Sequence, residues 1–265
     1  MVCSKELSGF IRKKAIEMCS VGKSSHVGSV LSCADILAVL YSGILNYKPK
    51  NPKYEYRDRF LMSKGHAGAG LYAVLSKVGF IDESILNTHY QNGSLLSGHV
   101  CHQNFPGIEF STGSLGHALP VCVGKALGLK LRQNSSKVYC LMSDGELDEG
   151  SNWEALLSAA HYKLDNLIAI IDRNRLQSIE DTEDTLMLEP LKDKLKSFNW
   201  HVQEVDGHNH DELINSFQGV LKNKPNLIIA NTIKGKGVSF MENEVLWHYK
   251  SPSESELFKA IGEIN

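Results

Sequence analysis

Two short polar tripeptides stand where apolar runs end. Ser143-Asp144-Gly145 closes the run KVYCLM, and Asp172-Arg173-Asn174 closes LIAII. The Asp144 carboxylate and the Asn174 amide oxygen are hard donors suited to Mg²⁺ or Ca²⁺. Mg²⁺ takes one or two protein groups and fills its octahedron with water and phosphate oxygens. Gly145 lets the backbone approach an anion more closely than a larger residue would. Taken singly, each tripeptide reads as a turn, because Asp, Asn and Gly favour turns. The pair, 30 residues apart with one helical stretch between, is more specific.

Such ends must be placed by a sheet. Short apolar runs rich in β-formers lie at Arg59–Met62, Lys137–Met142, Leu167–Ile171, His201–Val205 and Asn226–Asn231. They alternate with helical stretches at about His66–Lys77, Leu115–Leu131, Ser151–Tyr162, Leu191–Phe198 and Asp211–Leu221. The alternation predicts an α/β fold with a parallel β-sheet flanked by helices on both faces. Ligands in such sheets bind beyond the carboxyl ends of the strands, and Asp144 and Asn174 meet there if their strands are neighbours. Two helices are expected before the first strand, at Lys5–Ser20 and Ser32–Leu45, the second with Ser32 as N-cap. Pro49 and Pro52 then break the chain. A last helix is expected near Glu254–Ile264. The stretch from Gly79 to Ser114 is irregular, and a loop of that length in a compact domain is more often functional than decorative. With no repeat, low-complexity tract or long linker, residues 1–265 are expected to form a single domain.

Composition narrows the partners. The chain is 42% hydrophobic and 22% charged, with a formal net charge of -2. That charge supplies no basic field for a polyphosphate backbone, so nucleic acid is not an expected partner. No run reaches the roughly 18 unbroken apolar residues of a membrane-spanning helix, so no membrane partner is expected either. Charges are spread through the N-terminal apolar positions, unlike a signal peptide. Cysteines stand at 3, 19, 33, 101, 122 and 140 without a CxxC pair. They read as reduced, mostly buried thiols without metal or catalytic roles, which places the chain in the cytoplasm. No G-x-G-x-x-G follows an early strand, which argues against a dinucleotide site.

The metal pair resembles the thiamine diphosphate motif, in which G-D-G is followed about this far downstream by Asn, with Ser143 here in place of the first glycine. The resemblance widens on both sides. KSSHVGS, MSKGHAGAGLYAVL, SGHVCHQNFPGIEFSTGSLGHAL, SDGELDEGSNWEALLSAAHYKLDNLIAIIDRN and KGKGVSFMENEVLWHYKSP are similar to transketolase segments, in transketolase order, over nearly the whole chain. Full-length transketolases are about twice as long or more and continue into an aminopyrimidine-binding domain. This chain therefore resembles the N-terminal subunit of a split transketolase.

The resemblance implies thiamine diphosphate and Mg²⁺ as cofactors, with Ca²⁺ or Mn²⁺ as substitutes. It makes Asp144, Asn174 and the backbone carbonyl of Leu176 the metal ligands. Gly145 and Glu146 are expected against the diphosphate, and Gly113, Ser114 and Leu115 beside the aminopyrimidine and thiazolium. His66 and His248 are expected to bond diphosphate oxygens. His26 and His99 would face sugar hydroxyls, with His26, His99 and His248 catalytic. Lys23–Gly28 departs from the family's usual Gly-His-Pro, which would shift His26 slightly. Imidazoles titrate near neutral pH and serve as donors or acceptors where a hydroxyl proton leaves. His117 follows the cofactor loop and is a further candidate. The other histidines, at 89, 102, 161, 201, 208 and 210, are expected at the surface or satisfied in the core. Glu149 and Glu154 match positions near the interface of two active sites, but equally suit a helix start as solvated carboxylates.

The implied reaction is transfer of a two-carbon ketol unit from a ketose, a sugar phosphate or a related sugar, to an aldehyde acceptor. The resemblance also implies a C-terminal partner subunit, in an α₂β₂ assembly, which supplies the glutamate that touches the aminopyrimidine. Two rival readings remain: the alpha subunit of a 2-oxo acid dehydrogenase, which uses the same metal motif, and a non-catalytic nucleotide-binding module. The segments SKGHA, TGSLGH and WHYKSP favour transketolase over both.

Overall fold

In the computed structural model, residues 2–103 and 105–264 are described. Met1 and Asn265, the ends of the expected domain, and Asn104, in the expected loop, lie outside the described residues. The elements run α1 (Ser4–Gly22), α2 (Val27–Val39), β1 (Arg59–Met62), α3 (Gly68–Lys77), α4 (Ala118–Leu131), β2 (Val138–Ser143) and α5 (Gly150–His161). They continue with β3 (Leu167–Arg173), α6 (Thr182–Thr185), α7 (Leu191–Ser197), β4 (His201–Asp206), α8 (His210–Gln218), β5 (Asn226–Asn231) and α9 (Glu254–Glu263).

The five strands pair in the order β1-β2-β3-β5-β4, every pair parallel. Side chains alternate across a strand, and here both sides are buried. Tyr139 and Leu141 of β2, with Ile168 and Ile170 of β3, join a core cluster with α1, α2 and α3. Cys140 and Met142, with Ala169 and Ile171, join a second cluster with α4, α5 and α7. Helices thus cover both faces, which is why the central strands read as unbroken apolar runs rather than alternating ones.

Several boundaries differ from expectation. The second helix begins at Val27, five residues before Ser32, behind His26 in a left-handed conformation (φ 75°). Ser32 is no cap; it lies inside the helix, and its hydroxyl bonds the Asp172 carboxylate at 2.6 Å. Strand β3 runs two residues beyond Ile171, because Asp172 and Arg173 pair in register with Ala230 and Asn231. Only Asn174 lies past the strand. Helix α4 starts at Ala118 rather than Leu115, leaving residues 112–117 as a loop over the sheet edge.

The stretch Val27–Ile44 is long and apolar enough to cross a membrane by composition, with a mean hydropathy of 1.7 over 18 residues. It is 83% buried within the fold and packs against α1 and α3 as the central helix of the first core. The six cysteines are all free; Cys19, Cys33, Cys122 and Cys140 are buried.

Candidate active site

Four strands deliver one polar residue each, just past their carboxyl ends, to a single cavity of about 270 Å³. Lys64 follows β1, Asp144 follows β2, Asn174 follows β3 and Lys234 follows β5. The β2–β3 pairing of Ser143 with Asp172 sets Asp144 and Asn174 side by side, as their spacing predicts. The rest of the wall includes four imidazoles, of His26, His66, His99 and His248.

These histidines come from four separate segments and gather around His26. Its ring centroid lies 5.3 Å from that of His66, 5.7 Å from His99 and 4.9 Å from His248. The His26 amide donates to the His248 carbonyl at 2.9 Å, tying the start of α2 to the C-terminal segment. Gly113 lets the loop press against His99: a Cβ there would stand 3.1 Å from the ring. At Gly145 a Cβ would meet Gln177 at 2.8 Å, so glycine keeps this wall open.

The expectation that the imidazoles titrate near neutrality does not hold. Burial, then the charges of His99, Lys234 and Lys64, lowers His26 from 6.5 to about 4. Burial and then Lys234 lower His248 to about 3. His66 is lowered well below 6.5 and His99 is lowered too, both chiefly by burial. At pH 7 all four are neutral rings, each with one donor and one acceptor nitrogen.

The donor set at the strand ends fits a hard dication. Asp144 is buried, and burial followed by the charge of Asp172 raises its carboxyl above the ordinary value. Its oxygens accept from the amides of Gly145 at 2.8 Å and Arg175 at 2.6 Å, and from the Arg173 guanidinium at 3.4 Å. The Asn174 amide oxygen accepts from the Leu176 amide at 3.1 Å. The Leu176 carbonyl accepts from Lys234 Nζ at 3.0 Å, beside that of Gln177 at 2.8 Å. A carboxylate, an amide oxygen and a carbonyl thus border one cavity that also carries two lysines. Among the described residues no group of three or more His, Cys, Asp or Glu stands ready for a metal.

Some candidates stand elsewhere. Glu146 is fully buried, and its carboxylate turns inward to Ser63 Oγ, the Gly116 amide at 3.0 Å and the Ser143 amide at 3.3 Å. It braces the loop at Gly116 and lies off the cavity wall. Ser114 is exposed and off the cavity wall, although Gly113 and Leu115 are on it. His117 is exposed at the start of α4 and does not join the imidazole group, and Glu149 and Glu154 are exposed around the start of α5. Histidines 102 and 161 are exposed, whereas His89 is buried with Nε2 3.2 Å from Ser24 Oγ.

Sequence reasoning missed Lys64, Lys234, Ser29, Gln177, Ser178 and Tyr249, all on the wall. The strand-end rule that found Asp144 would have found both lysines. Lys64 is fully buried and ion-pairs with Asp172, which also accepts from Ser32 and Thr232. Lys234 is 1% exposed, and burial lowers it from 10.5 to about 8, so it still carries charge at pH 7.

The family described as "Transketolase, thiamine diphosphate binding domain" matches residues 3–259. The chain belongs to this transketolase family. One of the subunits of an apulose-4-phosphate transketolase from Phocaeicola vulgatus is 43% identical over 256 residues, 96% of this chain and 91% of that protein. The 6-deoxy-6-sulfo-D-fructose transketolase subunit SqwG of a Clostridium species is 39% identical over 258 residues, 96% of this chain and 93% of its own. The solved transketolase of Campylobacter jejuni superposes with a TM-score of 0.93 at 33% identity, covering all of this chain but 43% of that one. The transketolase-type sheet and the thiamine diphosphate-binding family agree with the fold expected from the sequence, and the length matches relatives that are themselves named as subunits of transketolases.

Proposed function

We propose that this chain is the diphosphate-binding, N-terminal subunit of a two-subunit, cytoplasmic transketolase that uses thiamine diphosphate and Mg²⁺. The observation that carries the reading is one cavity in which Asp144 and Asn174 face four neutral imidazoles and a charged lysine. Asp144, Asn174 and the Leu176 carbonyl hold the metal, with Gly145 leaving room for the diphosphate. His66 and His248 offer N–H groups to its oxygens, and Lys234, whose three N–H groups go to the Leu176 and Gln177 carbonyls and to His248, offers charge. Gly113 and Leu115, on the cavity wall, would flank the cofactor's rings. When bound, the cofactor supplies the electron sink for carbanion chemistry.

The residues of this chain handle protons. His26 and His99 are neutral at pH 7. A neutral ring takes the hydroxyl proton of a ketose on its free nitrogen as the carbon–carbon bond breaks, and returns it to the aldehyde acceptor. The cavity, open to solvent on this chain, is closed by the C-terminal subunit in an α₂β₂ assembly. That subunit reaches the pyrimidine and the far end of the sugar. The relatives named for a sugar phosphate and a sulfo-sugar support a ketose with an anionic terminus as donor. The buried free thiols support a reducing compartment.

The test measures ketol transfer from a panel of ketoses to aldehydes, for the chain alone and with its candidate partner, alongside calorimetric titration with thiamine diphosphate and Mg²⁺. Transfer only by the pair, with no oxidant or lipoyl acceptor, supports the proposal. Robust transfer by the lone chain overturns the two-subunit reading.

A further inference from the structure

Away from the cavity, a buried carboxylate gathers four side-chain donors. Asp35, on α2, accepts two bonds from Arg12 of α1, at 3.0 and 2.6 Å. It also bonds Nδ1 of His208, from the β4–α8 connection, at 2.8 Å and Nε2 of His210, the first residue of α8, at 3.0 Å. Burial opposes ionisation of Asp35, but these bonds outweigh it and hold the carboxyl well below the ordinary range. The sequence presents His208 and His210 as ordinary satisfied histidines, and by hydrogen-bond count they are.

Their second nitrogens part company. Nδ1 of His210 bonds Ser4 Oγ at 2.7 Å, at the beginning of α1. Nε2 of His208 lies 2.8 Å from the backbone nitrogen of Ile233, the residue before Lys234. A backbone N–H only donates, so Nε2 is the acceptor and Nδ1 carries the proton given to Asp35. The same turn is held twice more from this side: Arg12 Nε donates to the Lys236 carbonyl at 3.1 Å, and the Gly235 amide to the Gly28 carbonyl at 3.0 Å.

We infer that His208 is a positioning residue for the cofactor site: held by Asp35, it fixes the Ile233–Gly237 turn and so aims Lys234 into the cavity. This rests on the proposed reading of the cavity as a diphosphate site. His208 touches neither cofactor nor sugar in this arrangement; it acts through the Ile233 amide. His210 shares the carboxylate but not the turn, and serves as an internal control.

The experiment titrates thiamine diphosphate with Mg²⁺, and separately inorganic pyrophosphate with Mg²⁺, into the assembled enzyme by calorimetry. The His208→Asn amide stands near Nδ1 and keeps the bond to Asp35, but loses the acceptor for Ile233. The His208→Gln amide stands near Nε2 and keeps that acceptor. Leaving a buried backbone donor unpaired weakens the site by roughly tenfold in Kd. The expected order is therefore a rise of about tenfold for His208→Asn, a smaller rise for His208→Gln, and almost none for His210→Asn, at matched melting temperature. Equal affinity in all three variants, or a larger loss in His208→Gln than in His208→Asn, overturns the inference. Should the wild-type enzyme bind neither ligand, the diphosphate reading itself fails, an outcome distinct from the variant pattern. A His208→Asn protein that does not fold, beside a folded His208→Gln of normal affinity, shows a purely structural role and also overturns it.

Discussion

Lys234 Nζ lies 3.1 Å from Nδ1 of His248. An ammonium has no acceptor, so Nδ1 takes the bond and the proton of His248 sits on Nε2. The lysine thereby selects the tautomer of an imidazole on the cavity wall. After burial, its charge is the largest cause of the low pKa of that ring.

Replacing Lys234 with Met removes the charge and keeps the bulk. His248, now at about 3, then rises toward 6.5, and thiamine diphosphate affinity falls. Histidine-resolved NMR titration checks the first effect and calorimetry the second. An unmoved His248 means that the Lys234 charge does not set its pKa.

Asp144→Ala and Asn174→Ala each remove an oxygen donor from the proposed metal site. Both variants are expected to lose Mg²⁺-dependent binding of thiamine diphosphate, and EDTA is expected to reproduce the loss in the wild type. Retained affinity in both variants would falsify the metal assignment.

His99 is exposed and stands against Gly113 on the cavity wall, so its removal is expected to act on turnover. His99→Ala should lower kcat about 10²–10⁴-fold while cofactor affinity stays near that of the wild type. Full activity on the preferred ketose removes His99 from the chemistry.

Much of the fold is written in the alternation of apolar runs and helical stretches, since a parallel sheet covered on both faces leaves continuous Val, Ile and Leu runs. The strand-end chemistry of Asp144 and Asn174 is equally local, and their neighbouring strands bring them together. What the sequence hides is tertiary. Ser32 has the type of a helix cap, but its hydroxyl is engaged by Asp172, 140 residues away. Lys64 and Lys234 have the type of surface residues, and although each follows an apolar run, only the structure shows that both are buried. Glu146 stands beside the metal motif, yet its carboxylate points inward because three donors wait there.

The buried His89 and the half-buried His26 and His248 also predict acid sensitivity. His26 and His89 are lowered to about 4 and His248 to about 3, in each case chiefly by burial. Their folded pKa values lie below the unfolded value of 6.5, so the unfolded chain binds more protons in between. Their stability contribution is complete above about pH 6.5 and is lost as pH falls toward 4. Thermal melts should show Tm dropping from pH 7 to pH 5, more shallowly for His248→Asn. Melts that coincide at the two pH values contradict this account.

Beneath the cavity, Lys64 and Asp172 form an ion pair whose side chains are both 0% exposed. Asp172→Ala leaves a buried ammonium without its counter-charge and is expected to cost about 3–5 kcal/mol in urea unfolding. Adding Lys64→Met should recover much of that loss. If the double variant is no more stable than the single one, the pair is not the source.

Helix α2 carries one more consequence, for synthesis. It packs chiefly against α1, α3 and α8, and the Ser32 hydroxyl finds its partner at position 172. At ribosomal rates that segment arrives on the order of ten seconds later. Until then the helix lacks its β3 partner, and Val27–Ile44 has a mean hydropathy of 1.7. The segment that brings His26 and Ser29 to the cavity therefore completes its contacts late in synthesis.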